Sequence, residues 1–248
     1  MSHSWLSFYQ PRSTEQIILF CLPFSGGGAS TFWKWTREAI AALGICPVQL
    51  PGRENLLAQP AYSHLDELLP ALAANLMPYL HHPYALFGHS MGALIIFELT
   101  RWLRRWQQPL PIHLFVSAFR SPELPSRLRP LHALPDREFI AELRHYGGTP
   151  EAVLQHAELL NVLLPALRAD FTLHETFAFQ AEMPLSCPIS GFYGLLDPWV
   201  TSAEMEGWQA HTSSQFKLRG IPGGHFFLRE SQPLLLRAIA EDLNLTVA

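Results

Sequence analysis

A serine placed between two glycines is the residue in this chain with the clearest capacity for chemistry. Segment 88–92 reads Gly-His-Ser-Met-Gly, and it lies between an apolar run at 84–87 and a helical pattern at 93–99. A serine in a sharp turn from strand to helix presents its hydroxyl above the sheet, and flanking glycines let the two elements approach closely. The first amides of the following helix would face a developing oxyanion. We therefore predict that Ser90 is a nucleophile.

A nucleophilic serine needs a base and a carboxylate that orients the base, and suitable residues follow Ser90. Asp197 comes just after the apolar run at 189–194, and His225 follows a glycine pair after a strand-like run at 216–219. Such loops, at the carboxyl ends of parallel strands, are where open sheets build their sites. Asp197 alone is explained equally well as a turn residue before Pro198. The order serine, acid, histidine is that of α/β-hydrolase sheets, so we predict a triad of Ser90, Asp197 and His225.

The remaining histidines have weaker placements for catalysis. His89 is adjacent to the predicted nucleophile, but its side chain should point away from the hydroxyl, so we expect a structural role for it. Five other histidines hold no position that supports a catalytic role: His132, His145, His156, His174 and His211.

Acyl transfer through Ser90 also requires two amide donors for the oxyanion. One is predicted to be the backbone N–H of Met91, the residue after the nucleophile. The other should lie in the loop after the first strand, where we choose the N–H of Ser25. The glycines at 26–28 are also explained by a flexible turn. A phosphate-binding role for this loop is disfavoured, because the chain contains no GxxxxGK[ST] pattern.

Strand and helix patterns alternate around these residues. Apolar runs predict strands at 17–22, 45–50, 84–87, 112–117, 189–194 and 216–219, and helical patterns occur at 31–43, 65–80, 93–99 and 233–243. Strands separated by helices need crossover connections, which give a mostly parallel sheet. The predicted fold class is α/β: a mostly parallel central sheet flanked by helices, in one domain spanning residues 1–248.

The interval 122–182 breaks this alternation, because it contains no convincing strand pattern. Helices are predicted there at 136–146, 150–164 and 165–176. We interpret the interval as a helical lid subdomain over the carboxyl edge of the sheet, with 150–170 as its moving part. Its apolar residues are better explained by the core of the lid than by substrate contact.

Composition limits the function classes. The chain has 248 residues, 48% of them hydrophobic and 15% charged, which is enough apolar material for a sizeable core. A net charge of −4 without a basic stripe argues against nucleic acid as the main partner. Residues 1–5 lack a secretory pattern, and no apolar run reaches the roughly 18 residues of a membrane helix. The cysteines Cys21, Cys46 and Cys187 lack CxxC spacing, which argues against disulfides and zinc and favours a reducing compartment, so we expect a cytoplasmic protein.

Several further segments carry a resemblance to a known family. They are Leu-Pro-Phe-Ser-Gly-Gly at 22–27, Leu-Pro-Gly-Arg-Glu at 50–54, Phe-Gly-His-Ser-Met-Gly-Ala at 87–93, Leu-Pro-Asp at 134–136, Tyr-Gly-Gly-Thr-Pro at 146–150, Leu-Pro-Ala-Leu-Arg-Ala-Asp at 164–170 and Pro-Gly-Gly-His-Phe-Phe at 222–227. In this order, from about residue 19 to 228, the chain resembles a stand-alone type II thioesterase of nonribosomal peptide and polyketide biosynthesis. The family more often has His-Ala at the position of Phe24-Ser25, and an Asp at that of Leu195.

The resemblance implies an α/β-hydrolase fold with a helical lid. It implies hydrolysis of acyl groups from the phosphopantetheine thiol of acyl or peptidyl carrier proteins, which removes stalled or misprimed chains or releases intermediates. The family's triad falls on Ser90, Asp197 and His225, and its oxyanion donors on Ser25 and Met91. The implied partner is a carrier protein domain that brings the phosphopantetheine, so no cofactor of the enzyme's own is expected. We expect neither nucleic acid nor membrane as partner, and a monomer.

Substrate contacts and rival functions follow from this interpretation. Phe24, Phe119 and Phe226, together with Met91, are candidates for the mouth of the acyl site, although core packing explains each of them equally well. A carboxylesterase, lipase or acyltransferase on the same fold would use an equal triad. A non-catalytic protein that binds carrier domains is the rival from another class.

Overall fold

The computed structural model describes residues 5, 6 and 8–245, so residues 1–4 of the segment without a secretory pattern lie outside the described residues. Within this range six strands form one sheet, in the order β2-β1-β3-β4-β5-β6, and every neighbouring pair is parallel. The strands are β1 (Ile17–Leu22), β2 (Leu43–Pro47), β3 (Tyr84–His89), β4 (His113–Ser117), β5 (Ile189–Gly194) and β6 (Phe216–Ile221). The predicted α/β class with a mostly parallel sheet is confirmed.

Helices provide the crossovers that parallel strands require. They are α1 (Trp35–Glu38), α2 (Leu65–Leu76), α3 (Met91–Arg105), α4 (Asp136–Tyr146), α5 (Glu151–Leu154), α6 (Ala157–Glu175), α7 (Ser202–Glu206), α8 (Phe227–Glu230) and α9 (Gln232–Asp242). Alternate residues of a strand face opposite sides of a sheet, and β3 shows this directly. Leu86 packs into an apolar cluster with α2 and α3, whereas Ala85 and Phe87 pack into a second cluster with α1 and α9. Both faces of the sheet are therefore buried.

The region before β2 differs from the prediction of one helix over 31–43. The structure has a 3-10 turn at Ala29–Phe32 and only four residues of α1, and β2 starts at Leu43 rather than at residue 45. Leu43 and Gly44 are hydrogen-bonded in register with Ile17 and Ile18 of β1. Pairing with β1 thus places in a strand two residues whose local sequence pattern favours a helix.

The helical insertion, which we define as residues 122–182, joins β4 to β5 and contains α4, α5 and α6 without a strand. The predicted helix boundary at Pro165 is wrong, because α6 runs through this proline. A proline inside a helix removes one backbone hydrogen bond, and burial of the apolar face of α6 offsets this loss. The boundary lies instead at His156, whose ring accepts a hydrogen bond from the N–H of Leu159 (3.4 Å).

The insertion has an apolar cluster of its own, separate from the two clusters on the sheet. Its buried members are Leu131, Phe139, Leu143, Leu154, Leu160, Leu164, Leu167 and Phe171. Leu159, which has the same helical spacing as Leu167 in the sequence, is 48% exposed. The buried stripe of α6 therefore begins at Leu160.

All three cysteines are buried and free of disulfides. Among the described residues, no group of three potential ligands could hold a metal ion. In the same part of the chain, every helix is too short or too polar to cross a bilayer.

Candidate active site

Ser90 occupies a strained turn between β3 and α3. Its backbone has φ 54° and ψ −122°, in the positive-φ region that residues with a side chain rarely adopt. The turn is held by a hydrogen bond from the N–H of Ser90 to the carbonyl of Ser117 (2.7 Å), at the end of the neighbouring strand β4. A Cβ on Gly88 would lie 2.1 Å from the carbonyl oxygen of Gly92, and one on Gly92 would lie 2.4 Å from that of Leu22. Only glycine fits at these two positions, so the close approach of the backbone explains why both glycines of the motif are required.

A hydrogen-bond chain links Ser90 to the two residues predicted to serve it. The Oγ of Ser90 is 3.1 Å from Nε2 of His225, and Nδ1 of His225 is 2.8 Å from Oδ2 of Asp197. The other carboxylate oxygen of Asp197 accepts the N–H groups of Trp199 (2.9 Å) and Val200 (3.2 Å). A carboxylate only accepts, so Nδ1 carries the proton and Nε2 is free to take one from the serine hydroxyl. The structure brings together three side chains that are up to 135 residues apart.

Burial protects this chain from water on the side of the acid. The side chain of Asp197 is fully buried and that of His225 is 8% exposed, whereas Ser90 is partly exposed to the cleft. The arrangement therefore allows a proton to pass from a reachable hydroxyl to an imidazole whose orientation is set by a buried carboxylate.

His89 supports the loop of His225 from below. Its Nε2 lies 2.8 Å from the carbonyl of His225, and its Nδ1 lies 2.9 Å from the hydroxyl of Ser117. A carbonyl only accepts, so Nε2 is the protonated nitrogen and Nδ1 accepts from Ser117. Complete burial holds the pKa of His89 well below its usual value, which keeps the ring neutral. The side chain points away from the nucleophile, and it ties the carboxyl ends of β3 and β4 to the loop after β6.

Two amides are positioned for an oxyanion. Within the described part of the chain, no hydrogen bond joins the N–H of Ser25 or of Met91 to another residue. Met91 is the first residue of α3, so its amide lies at the positive end of a 15-residue helix. Ser25 lies in the turn closed by the bond from the N–H of Gly27 to the carbonyl of Phe24 (2.8 Å).

A buried ion pair fixes the turn that contains Ser25. Asp170 of α6 accepts two hydrogen bonds from the guanidinium of Arg53, at 2.6 and 2.7 Å, and a third from the N–H of Gly26, at 2.7 Å. Arg53 also donates to the carbonyl of Gly27 (3.2 Å). The two side chains are only 5% and 2% exposed. This network ties the insertion to the residue next to Ser25, and it joins two of the segments that carried the family resemblance.

A cleft that is open to solvent at its mouth begins at Ser90 and runs between the sheet and the insertion. Phe24, Phe119 and Phe226 all line it, and the rings of Phe24 and Phe226 meet edge to face at 4.9 Å. The side chain of Met91, by contrast, belongs to the core beside α3 and does not line the cleft. Met91 is therefore explained by core packing. The three phenylalanines line the cleft, and Phe24 and Phe119 also belong to the apolar clusters on the sheet.

The lining of the cleft includes Arg120, for which the sequence predicted no role, and His174, for which it predicted no catalytic role. His174 is the one histidine, among the five set aside, that reaches the cleft. Burial chiefly, followed by repulsion from Arg120, lowers the pKa of His174 to about 3. Its spacing from Leu167 and Phe171 puts it on the same face of α6, and that periodicity was a usable signal.

The other four histidines make contacts that explain them without catalysis. Their partners are Glu175 for His132, the ring of Trp199 for His145, the N–H of Leu159 for His156 and Glu123 for His211.

Comparisons with known proteins show what the whole chain is similar to. The family model described as Thioesterase domain matches residues 17–244. The chain is 40% identical to the gramicidin S biosynthesis protein GrsT of Aneurinibacillus migulanus, over 99% of this chain and 96% of GrsT. Among solved structures, the RedJ thioesterase of the prodiginine pathway in Streptomyces coelicolor superposes with a TM-score of 0.85 at 36% identity, covering 94% of this chain and 88% of RedJ. The type II thioesterase BorB of the borrelidin cluster gives 0.84 at 35%, covering 96% and 95%.

Proposed function

The chain belongs to the thioesterase family and is a thioester hydrolase, and on this premise we propose that it releases acyl groups from the phosphopantetheine thiol of acyl or peptidyl carrier proteins. The reaction removes stalled or misprimed chains during nonribosomal peptide or polyketide synthesis. Support comes from the relatives, since GrsT and BorB are named for a gramicidin S pathway and a borrelidin cluster. The observation that carries the proposal is the chain of hydrogen bonds Ser90–His225–Asp197 at the base of a cleft.

In the first half of the reaction, Ser90 is the nucleophile. As Oγ attacks the thioester carbonyl carbon, its proton moves to Nε2 of His225. The carbonyl oxygen becomes an oxyanion that binds the N–H groups of Ser25 and Met91. Collapse of this intermediate breaks the carbon–sulfur bond, and the pantetheine thiol leaves with the proton from His225. The product is an acyl ester on Ser90.

In the second half, water replaces the thiol. His225 takes a proton from water, the resulting hydroxide attacks the acyl ester, and the same two amides hold the second oxyanion. Collapse returns the proton to Ser90 and frees the carboxylic acid. Asp197 holds the imidazole in the required tautomer and stabilises its cation in both halves.

The cleft suits an acyl chain delivered on a long, thin arm. Phe24, Phe119 and Phe226 would contact the chain near its entry, and the helical insertion would act as a lid that shields the acyl ester from bulk water. Asp170 ties α6 at its carboxyl half, so we assign the movement of the lid to residues before it. The carrier domain, the lack of a cofactor of the enzyme's own and the monomeric state stay predictions.

The test compares thioesters with oxygen esters on the same acyl group. Carrier proteins loaded with a panel of acyl-phosphopantetheines are incubated with the enzyme, and loss of each group is followed by intact mass. We expect rapid loss from the carriers, slow turnover of matched p-nitrophenyl esters, and a drop of roughly 10⁴- to 10⁶-fold for Ser90→Ala. Ser117→Ala is not a suitable control because Ser117 contacts His89. Ser214→Ala is suitable, because Ser214 is exposed and does not line the cleft. Faster turnover of oxygen esters, or a Ser90→Ala variant at the wild-type rate, would refute the proposal.

A further inference from the structure

Arg120 lies in the wall of the cleft, just after the carboxyl end of β4. Its Nε donates to the carbonyl of Leu124 (2.9 Å), and its guanidinium carbon lies 5.2 Å from the centre of the Phe119 ring. Among the described residues, its two terminal nitrogens take part in no hydrogen bond and no ion pair. The side chain is half-buried, and burial lowers its pKa. An arginine in this setting remains charged, so the cleft wall contains a guanidinium whose two terminal NH2 groups are free to donate.

The carboxylates near Arg120 are engaged with other groups. Glu175 accepts the N–H groups of Leu131 and His132 as well as Nδ1 of His132 (2.7 Å). Glu204 accepts two hydrogen bonds from Arg127, at 2.7 and 2.9 Å, and caps the helix that follows Thr201. Neither carboxylate approaches Arg120 within ion-pair distance.

The other charged groups of the cleft are already balanced. Arg127 and Arg129 lie at its rim, where they pair with Glu204 and Glu142 and are 58% and 60% exposed. His174 stays neutral near physiological pH, because its pKa is lowered to about 3. Arg120 therefore supplies a positive charge that no direct ion pair compensates. The negative charge of Glu204 acts on it from a longer distance, and a ligand carboxylate in contact with it would stabilise it further in this partly dehydrated wall.

We propose that Arg120 is a subsite for acyl chains that end in a carboxylate, so that the enzyme accepts half-thioesters of dicarboxylic acids. This inference rests on the proposed function. Two parallel N–H groups of a guanidinium match the two oxygens of a carboxylate, and such pairs are stronger than neutral hydrogen bonds. Leu143 and Phe171 line the same cleft, and they offer apolar surface to the methylene spacer between thioester and carboxylate. His174 would complete the subsite as a neutral hydrogen-bonding partner.

The experiment uses pairs of acyl-pantetheine thioesters with equal chain length, one ending in a carboxylate and one in a methyl group. Malonyl is paired with propionyl, and glutaryl with pentanoyl, so that the series also finds the spacer that reaches Arg120. In Arg120→Gln we expect kcat/KM for the best carboxylate-ended substrate to fall about 10- to 100-fold, with the methyl-ended partner changed less than about threefold. Arg120→Lys, which keeps the charge and loses the fork, gives an intermediate ratio. Arg144→Gln is the matched control, because Arg144 is paired with Glu151 (2.9 Å), is 49% exposed and does not line the cleft, and it leaves the ratio unchanged.

Several outcomes would overturn the inference. If wild type hydrolyses only methyl-ended chains, the subsite does not exist. If Arg120→Gln lowers both members of a pair equally, Arg120 acts on the pantetheine arm or on folding, and the thermal midpoint separates these two. If wild type hydrolyses no thioester of either kind, it is the proposed function that fails.

Discussion

Replacing Asp170 with asparagine tests whether the buried network behind Ser25 contributes to catalysis as well as to stability. The carboxylate receives three short hydrogen bonds, from two nitrogens of Arg53 and from the N–H of Gly26. An asparagine has the same shape, but its side-chain NH2 group is a donor. Because both carboxylate oxygens of Asp170 accept hydrogen bonds, this NH2 group would face a donor in either orientation. The substitution therefore breaks at least one hydrogen bond and leaves the charge of Arg53 buried without compensation.

The structure allows both effects to be sized. The pair is 5% and 2% exposed, and breaking a buried ion pair costs about 3–5 kcal/mol in the free energy of unfolding. For a protein of this length that lowers the thermal midpoint by roughly 6 to 20 °C. A lost oxyanion donor costs roughly 10²- to 10³-fold in kcat. Because Asp170 acts on Ser25 through the neighbouring Gly26, we expect a loss in kcat of roughly 10- to 100-fold with little change in KM.

The assay measures kcat and KM on one acyl-pantetheine thioester, together with thermal unfolding, well below the midpoint of every variant. Asp242→Asn is the matched control. Asp242 is also buried and accepts two hydrogen bonds from Arg219 (2.6 and 2.7 Å), yet neither residue lines the cleft. This control should also lose stability, because Asp242 accepts hydrogen bonds from Lys217 and Ser190 as well as from Arg219, and it should keep kcat. If Asp170→Asn loses stability but keeps kcat as the control does, Asp170 is purely structural and the argument about Ser25 is wrong.

Two further predictions concern the elbow and the pH dependence of folding. Gly88→Ala puts a Cβ 2.1 Å from the carbonyl oxygen of Gly92, so activity should fall more than about tenfold and the thermal midpoint should drop. In the control Gly224→Ala the new Cβ meets only the carbonyl of Leu196, at 3.8 Å, so activity and thermal midpoint should both be kept. Equal behaviour of the two variants would contradict this steric explanation. Burial lowers the pKa of His113 to about 4 in the folded protein, against about 6.5 in the unfolded chain. Between pH 6.5 and 4 the unfolded chain therefore binds more protons than the folded protein. The free energy of unfolding falls as the pH falls through this range, by up to ~1.4 kcal/mol per pH unit. Urea unfolding from pH 7.5 to 4.5 measures this slope, and a slope that His113→Gln does not reduce would rule out His113 as its source.

Much of the fold was predictable because its strands are buried on both faces. The run at 189–194 has no competing helical pattern, and β5 occupies these residues in the structure. Predictions failed where tertiary contacts outweigh local preference. Leu43 and Gly44 belong to β2 because β1 offers them hydrogen bonds, and α6 continues through Pro165 because its apolar face has a partner in the insertion. Neither partner is visible in the local sequence.

The site divides in the same way. Ser90, Asp197 and His225 were identifiable because each follows a strand and their chain order is informative. Their catalytic roles stay predictions, but the geometry brings the three side chains into one chain of hydrogen bonds. Arg53 and Asp170 are 117 residues apart, and nothing local to either motif indicates the pairing. The free donors of Arg120 could not be predicted from the sequence either. They are free because the nearby carboxylates are bound to other residues, and those pairings are formed only in the folded structure.

The separate apolar cluster of the helical insertion has an evolutionary consequence. Its members, such as Phe139 and Leu164, take no part in either cluster that encloses the sheet. Mutations that enlarge or shrink these side chains change the shape of the helical insertion above the acyl chain. They leave the packing of the sheet that positions the triad unchanged. Acyl-group preference can therefore change during evolution through the insertion alone, provided that the ion pair between Asp170 and Arg53 is kept.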